Sequence, residues 1–97
     1  MMWTLKYSPN AADAMRRLDT AIAGRIKTYM DDVVLLVDPR ARGRGLTGAL
    51  AGYWRYRVGD YRIIATIEDD RLVVIAVHIG HRAEVYDWEP RSTRSLT

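Results

Sequence analysis

Apolar and polar residues alternate from Trp3 to Tyr7 in a run of strand formers, which predicts a short first strand over residues 3–7. The period then changes. Ser8-Pro9 reads as a helix start, with Ser8 as the cap and Pro9 at the first helical position. Ala11, Ala14, Met15 and Leu18 fall on one face of that helix, which runs to about Leu18. Asp19 or Thr20 restarts a helix. Ile22, Ile26, Tyr29 or Met30, Val33 and Leu36 or Val37 then recur at spacings of three and four. Asp38-Pro39 ends it, because a residue before proline avoids helical angles.

Residues 39–52 (PRARGRGLTGALAG) hold four glycines and three arginines and read as a basic loop with a short turn near its end. They are not a P-loop, since the lysine and its spacing are missing. From Tyr53 the pattern is that of strands: 53–58, then Gly59-Asp60, then 61–68, then Asp69-Asp70, then 71–79. A two-residue turn with glycine first favours a tight II′ hairpin. The order is β-α-α-β-β-β. It predicts an α+β fold, in which a small twisted antiparallel sheet with an N-terminal strand carries a helical hairpin on one face. One domain is expected over residues 1–88, with a polar, mobile tail over 89–97.

Composition narrows the chemistry. A chain of 97 residues without cysteine offers no disulfide, cysteine zinc site or thiol nucleophile, and fits a reducing compartment such as the cytoplasm. No apolar run approaches the roughly 20 residues of a membrane helix, and the amino terminus lacks the pattern of a signal peptide. His78 and His81, three apart in a strand and without an acidic cluster, do not make a metal site. No cofactor is expected. The net charge of +3 is unevenly spread. Residues 1–38 are neutral and residues 65–97 are slightly acidic. Between them Arg40, Arg42, Arg44, Arg55, Arg57 and Arg62 face only Asp60. Guanidinium groups suit fork-like binding of phosphate, and a focused patch suits a polyanion.

A Gly59-Asp60 turn pairs Val58 with Tyr61, Arg57 with Arg62, Tyr56 with Ile63 and Arg55 with Ile64. Trp54, Tyr56, Val58, Tyr61 and Ile63 then face the helices, while Arg55, Arg57 and Arg62 share the opposite face. Like charges directly opposed on a sheet cost up to about 1 kcal/mol. Long arginines escape some of that by splaying into solvent, yet a cluster that costs stability until an anion arrives reads as a phosphate site. With Asp69-Asp70 as a second two-residue turn, Val77 lies opposite Arg62 and His78 opposite Tyr61. Strand parity then puts His81 on the arginine face and Arg82 on the other, with the segment emerging beside the Gly59-Asp60 end.

These residues carry a family likeness. WRYRVGDYRIIATI (residues 54–67) and VHIGHRAEVY (residues 77–86) resemble the two signature regions of RelE-type toxins, within the RelE/ParE superfamily of type II toxin–antitoxin systems. The order of elements, the loop ending in Leu46-Thr47-Gly48 and the length are similar over nearly the whole chain. The resemblance implies a metal-free, ribosome-dependent endoribonuclease. In that family the 2′-hydroxyl of messenger RNA attacks the adjacent phosphate and translation stops. It also implies a RelB-like antitoxin as partner, and contact with operator DNA only through the antitoxin complex. By the same resemblance Arg62 and Arg82 stabilise the transition-state phosphate, and Tyr86 stacks on or works near the scissile nucleotide. Arg55 stands where many members have lysine. Arg57, Arg40, Arg42 and Arg44 are the further RNA-binding candidates, the last three for sequence-independent phosphate contacts.

One departure matters. Where well-studied members place lysines on the second strand, this chain has Tyr53 and Arg55. Arginine stays protonated and makes a poor general base. The role passes to His81, whose residue type exchanges protons near neutral pH, to Tyr86, or to Glu84, which can instead orient Arg82. The rival expectation is a ParE-like inhibitor of DNA gyrase. A third is a weakened toxin that acts mainly in its antitoxin complex.

Overall fold

The computed structural model describes residues 2–84, so the reading of Tyr86, of the tail and of the domain's end at residue 88 lies outside the described residues. Strand β1 (Thr4–Tyr7) leads into helices α1 (Pro9–Arg17) and α2 (Thr20–Val33). After a basic loop come β2 (Arg44–Gly45), β3 (Trp54–Val58), β4 (Tyr61–Glu68) and β5 (Val73–His81). They form one sheet in the order β1-β5-β4-β3-β2. It is a mixed sheet: β1 runs parallel to β5, and every other pair is antiparallel.

Local chemistry starts the helices where the sequence suggested. The Ser8 side chain accepts from the Ala11 amide with Pro9 in the first turn, and the Asp19 carboxylate accepts from the Ala21 amide. Helix α2 stops at Val33, short of the expected end near Asp38. Val33 and Val34 are β-branched and weak helix formers, and Leu35 and Val37 beyond them are left exposed and off the core face. The core lies between the helices and one face of the sheet. Ala11, Ile26, Met30 and Val33 meet Tyr56, Ile63, Ala65, Val74, Ala76 and Ile79 there. Each of the valine, isoleucine and methionine side chains contributes about 1.5–3 kcal/mol by leaving water.

The β3–β4 hairpin has the expected register, Arg57 opposite Arg62 and Tyr56 opposite Ile63, around Gly59 at φ +57°. A positive φ at the first turn position alone is the II′ arrangement, and it favours glycine.

The β4–β5 register differs from the expectation. The connection is not a two-residue turn: residues 69–72 form it, Leu72 takes a left-handed φ of 54°, and Glu68 pairs with Val73. A further irregularity follows, in which Ala65 pairs with Ala76 but Ile64 pairs with His78, leaving Val77 extra. Turn and bulge together move the strand by three residues. Gly80, not Val77, stands opposite Arg62, and His81, not His78, stands opposite Tyr61. An odd shift exchanges the two faces, because side chains alternate with period two.

Candidate phosphate-binding face

Arg44, Arg55, Arg57 and Arg62 occupy the sheet face turned away from the helices. Cross-strand partners point to the same side, so the pairs Arg44–Arg55, Arg55–Ile64 and Ile64–His78 define one row across β2, β3, β4 and β5. Arg57, Arg62 and Gly80 define the next row. Arg44 and Arg57 are exposed, while Arg55, Arg62 and His78 are half-buried.

The floor between these rows is a second, smaller core that the sequence reading did not anticipate. Ile64 and Leu50 are buried there, with Leu46, Tyr53 and Val77 packed against them. It forms because the basic loop folds back over the sheet. The Leu46 amide donates to the Tyr53 carbonyl, and Arg44-Gly45 adds a two-residue edge strand. Gly43 permits the approach: at φ +76° it lies so close to β3 that a Cβ would sit 2.2 Å from the Arg55 carbonyl oxygen. The sheet thus carries an apolar floor with guanidinium groups rising from it, which holds long cations by their methylene stems and leaves their heads polar.

The Gly59-Asp60 turn gathers two of the proposed catalytic arginines. Arg62 Nη1 donates to the carbonyls of Gly59 (2.9 Å) and Tyr61 (3.1 Å). The Arg82 amide donates to the Asp60 carbonyl at 2.7 Å, and its Nε lies 4.0 Å from the Asp60 carboxylate. Arg82 follows the last residue of β5, where the chain leaves the paired strand.

His81 is correspondingly not on the arginine face. It stands across from Tyr61, their rings edge-to-face with centroids 5.6 Å apart, on the side toward the helices. His78 takes the arginine-face position instead. No pattern of residue types announced the bulge at Val77, so the exchange was not readable in advance. Burial holds the His78 imidazole below the ordinary histidine range. Glu84 donates its amide to the His81 carbonyl, in the turn after β5.

The loop arginines divide. Arg40 grips Asp69 with both nitrogens, at 2.9 and 2.8 Å, and this pair holds the Asp69 carboxyl below the usual carboxylate range. Arg42 lies over the Tyr29 ring, 5.4 Å from its centroid, on the helix side of the molecule. Only Arg44 of these three joins Arg55, Arg57 and Arg62. Beneath the loop the buried Tyr56 hydroxyl donates to the Pro39 carbonyl at 2.7 Å, and burial pushes its ionisation well above the usual range. Among the described residues no group of histidines and carboxylates could hold a metal ion. Nor is any described helix long and apolar enough to cross a membrane.

Residues 5–86 match the family described as the ParE toxin of the type II toxin–antitoxin system parDE. The chain belongs to the RelE/ParE family of type II toxins. Within it, the chain is 32% identical to Toxin RelE of Mycobacterium tuberculosis over 80 residues, covering 82% of this chain and 81% of that one. It is 27% identical to Toxin RelG of the same organism over 86 residues, covering 89% and 98%. Among solved structures, the RelBE2 toxin–antitoxin complex from M. tuberculosis contains a similar chain with TM-score 0.76, 24% identity and coverage of 84% and 100%. A double mutant of the E. coli toxin RelE in the free state aligns over the full length of both chains with TM-score 0.73 and 20% identity. Likeness at these identities bears on the RelE/ParE fold, which is the α+β arrangement the residue pattern suggested.

Proposed function

We propose that this RelE/ParE-family toxin is a ribosome-dependent endoribonuclease that cuts messenger RNA by metal-independent attack of a 2′-hydroxyl on the adjacent phosphate. The observation that carries the reading is the gathering of Arg44, Arg55, Arg57 and Arg62 on one sheet face, with Arg82 beside the Asp60 turn. Charge accumulates on the non-bridging oxygens as the phosphate passes through its transition state, and pre-oriented guanidiniums lower that barrier without reorganising. Arg62 and Arg82 are assigned to these oxygens, and Arg55 and Arg57 to the flanking phosphates. Arg44 extends the phosphate track along the sheet edge. Tyr86 keeps the role that the resemblance implies, beside the scissile nucleotide. The general base is not assigned to His81, because Tyr61 and the opposite sheet face hold it away from the arginines.

A RelB-like antitoxin is the proposed partner, supported by the toxin–antitoxin complexes among the structural relatives. Operator DNA would be met only through that complex. A gyrase-inhibiting reading is favoured by one observation, the match to the ParE family description. The test is induced expression of the lone chain in a bacterium, with 5′ ends mapped on translated messages. Breaks inside reading frames that vanish when translation is blocked support the ribonuclease. Growth arrest with intact messages, DNA damage and filamentation moves the protein to gyrase inhibition.

A further inference from the structure

The basic loop rejoins the sheet through Arg44-Gly45, a strand too short to fix its own position by ladder bonds. A single indole supplies what that strand lacks. Trp54 stands opposite Gly45, and its side chain packs on the helix side of the sheet. Its Nε1–H donates to the Arg42 carbonyl at 2.7 Å. A Cβ on Gly43 would lie 2.8 Å from that nitrogen, and a Cβ on Gly45 would lie 3.3 Å from Cζ3 of the same ring. The indole therefore lies against residues 42–45, with the bare Cα of each glycine facing it.

Side chains alternate along extended backbone, so Arg44, between two residues turned to the indole, is turned to the other face. There it is exposed, across from Arg55. The rest of the loop is tied to the same aromatic layer. The Tyr56 hydroxyl donates to the Pro39 carbonyl, Arg42 lies over the Tyr29 ring, and Tyr29 meets Tyr56 edge-on at 6.1 Å between centroids. Arg40 ends on Asp69 and Arg42 on Tyr29. Arg44 alone of the three is presented on the phosphate-binding face.

We infer that Trp54 is a positioning residue for Arg44: its indole holds the Gly43-Arg44-Gly45 backbone so that the guanidinium is already aimed at an RNA phosphate before RNA arrives. Holding the loop in advance removes the ordering cost that a mobile arginine would meet on binding. The contact lies at the sheet edge and is made alike before and during the chemical step. It therefore strengthens binding of the programmed ribosome and leaves the rate at saturation nearly unchanged. The RNA contact rests on the ribonuclease reading. The clamp does not.

The test follows single-turnover cleavage against the concentration of programmed ribosomes. Arg44→Ala, and Trp54→Phe, which keeps a ring in the core but loses the Nε1–H donor, should each raise the half-saturating concentration about tenfold and leave the plateau rate within about twofold. Gly45→Val, which keeps Trp54 and forces a branched side chain between strand and indole, should do the same. Added to Arg44→Ala, neither Trp54→Phe nor Gly45→Val should cost anything further, because both act through Arg44. Additive losses, or a fall in the plateau rate alone, overturn the positioning role. An Arg44→Ala effect that persists on messages ending at the decoded codon assigns the phosphate to ribosomal RNA; one that vanishes assigns it to the message. In the free chain, 15N relaxation should show residues 43–45 as rigid as β3, and mobile in Trp54→Phe and Gly45→Val. Mobility already present in the wild type, or rigidity kept in both variants, overturns the clamp. Wild-type protein that cuts no message sinks the ribonuclease reading and the RNA contact together, while the relaxation data still decide what Trp54 does.

Discussion

Arg57 and Arg62 stand directly opposite each other on the β3–β4 hairpin, on the sheet face away from the helices. Two like charges in that relation disfavour the folded sheet by up to about 1 kcal/mol. Arg57→Thr relieves the repulsion and keeps a strand-forming residue. It should raise the melting temperature by a few degrees, since about 1 kcal/mol corresponds to 4–8 °C in a domain of this size. The same variant should lose toxicity. A lower melting temperature would show that the arginines are already compensated within the fold.

The arginines should separate by position. Arg62→Ala removes a group assigned to the transition-state phosphate, and loss of one such donor typically costs about 10²–10³ in rate. Growth inhibition should disappear with the fold retained. Arg40→Ala should cost far less cleavage, because Arg40 is engaged by Asp69 away from the arginine rows. Equal losses in parallel cleavage assays would mean that charge density, not placement, drives the activity.

Gly43 should tolerate no side chain. Its φ of +76° is strained for other residues, and a Cβ would press into the backbone of β3 and Trp54 Nε1. Gly43→Ala should therefore cost at least about 2 kcal/mol by denaturant unfolding, from strain and overpacking combined. Gly24→Ala is the contrast, with open space around its Cβ in the middle of α2 and a better helix former gained. It should be neutral or stabilising.

His78 sets a pH dependence of stability. Its folded ionisation is depressed by burial, so the unfolded chain binds the proton first as pH falls. Its contribution to stability is complete above the unfolded value, about 6.5, and is lost as pH falls through the lower folded value. Unfolding free energies between pH 7 and pH 5 should decline in the wild type and flatten in His78→Gln. An unchanged slope would remove His78 as the source.

The legible part of this protein was local. Ser8-Pro9 and Asp19 marked the helix starts because caps act within three residues. Gly59-Asp60 marked a hairpin whose register follows from the turn alone, so the pairing of Arg57 with Arg62 and the common face of Arg55, Arg57 and Arg62 could be written down in advance. The family likeness rested on the same contiguous segments.

What failed to be legible depended on distant partners. The wider connection at residues 69–72 and the extra residue at Val77 are read by β4 as a three-residue slip, and an odd slip exchanges faces. His81 left the arginine face and His78 arrived there, next to an asparagine 68 residues away in sequence. The loop's return over the sheet, with Leu50 closing on Ile64, was likewise hidden among glycines and arginines. Propensity, capping and turn chemistry act over a few neighbouring residues, and they set the helix starts, the β3–β4 hairpin and its arginine face. Which histidine joins that face, and which loop arginines remain on it, follows from register and ion pairing between segments far apart along the chain.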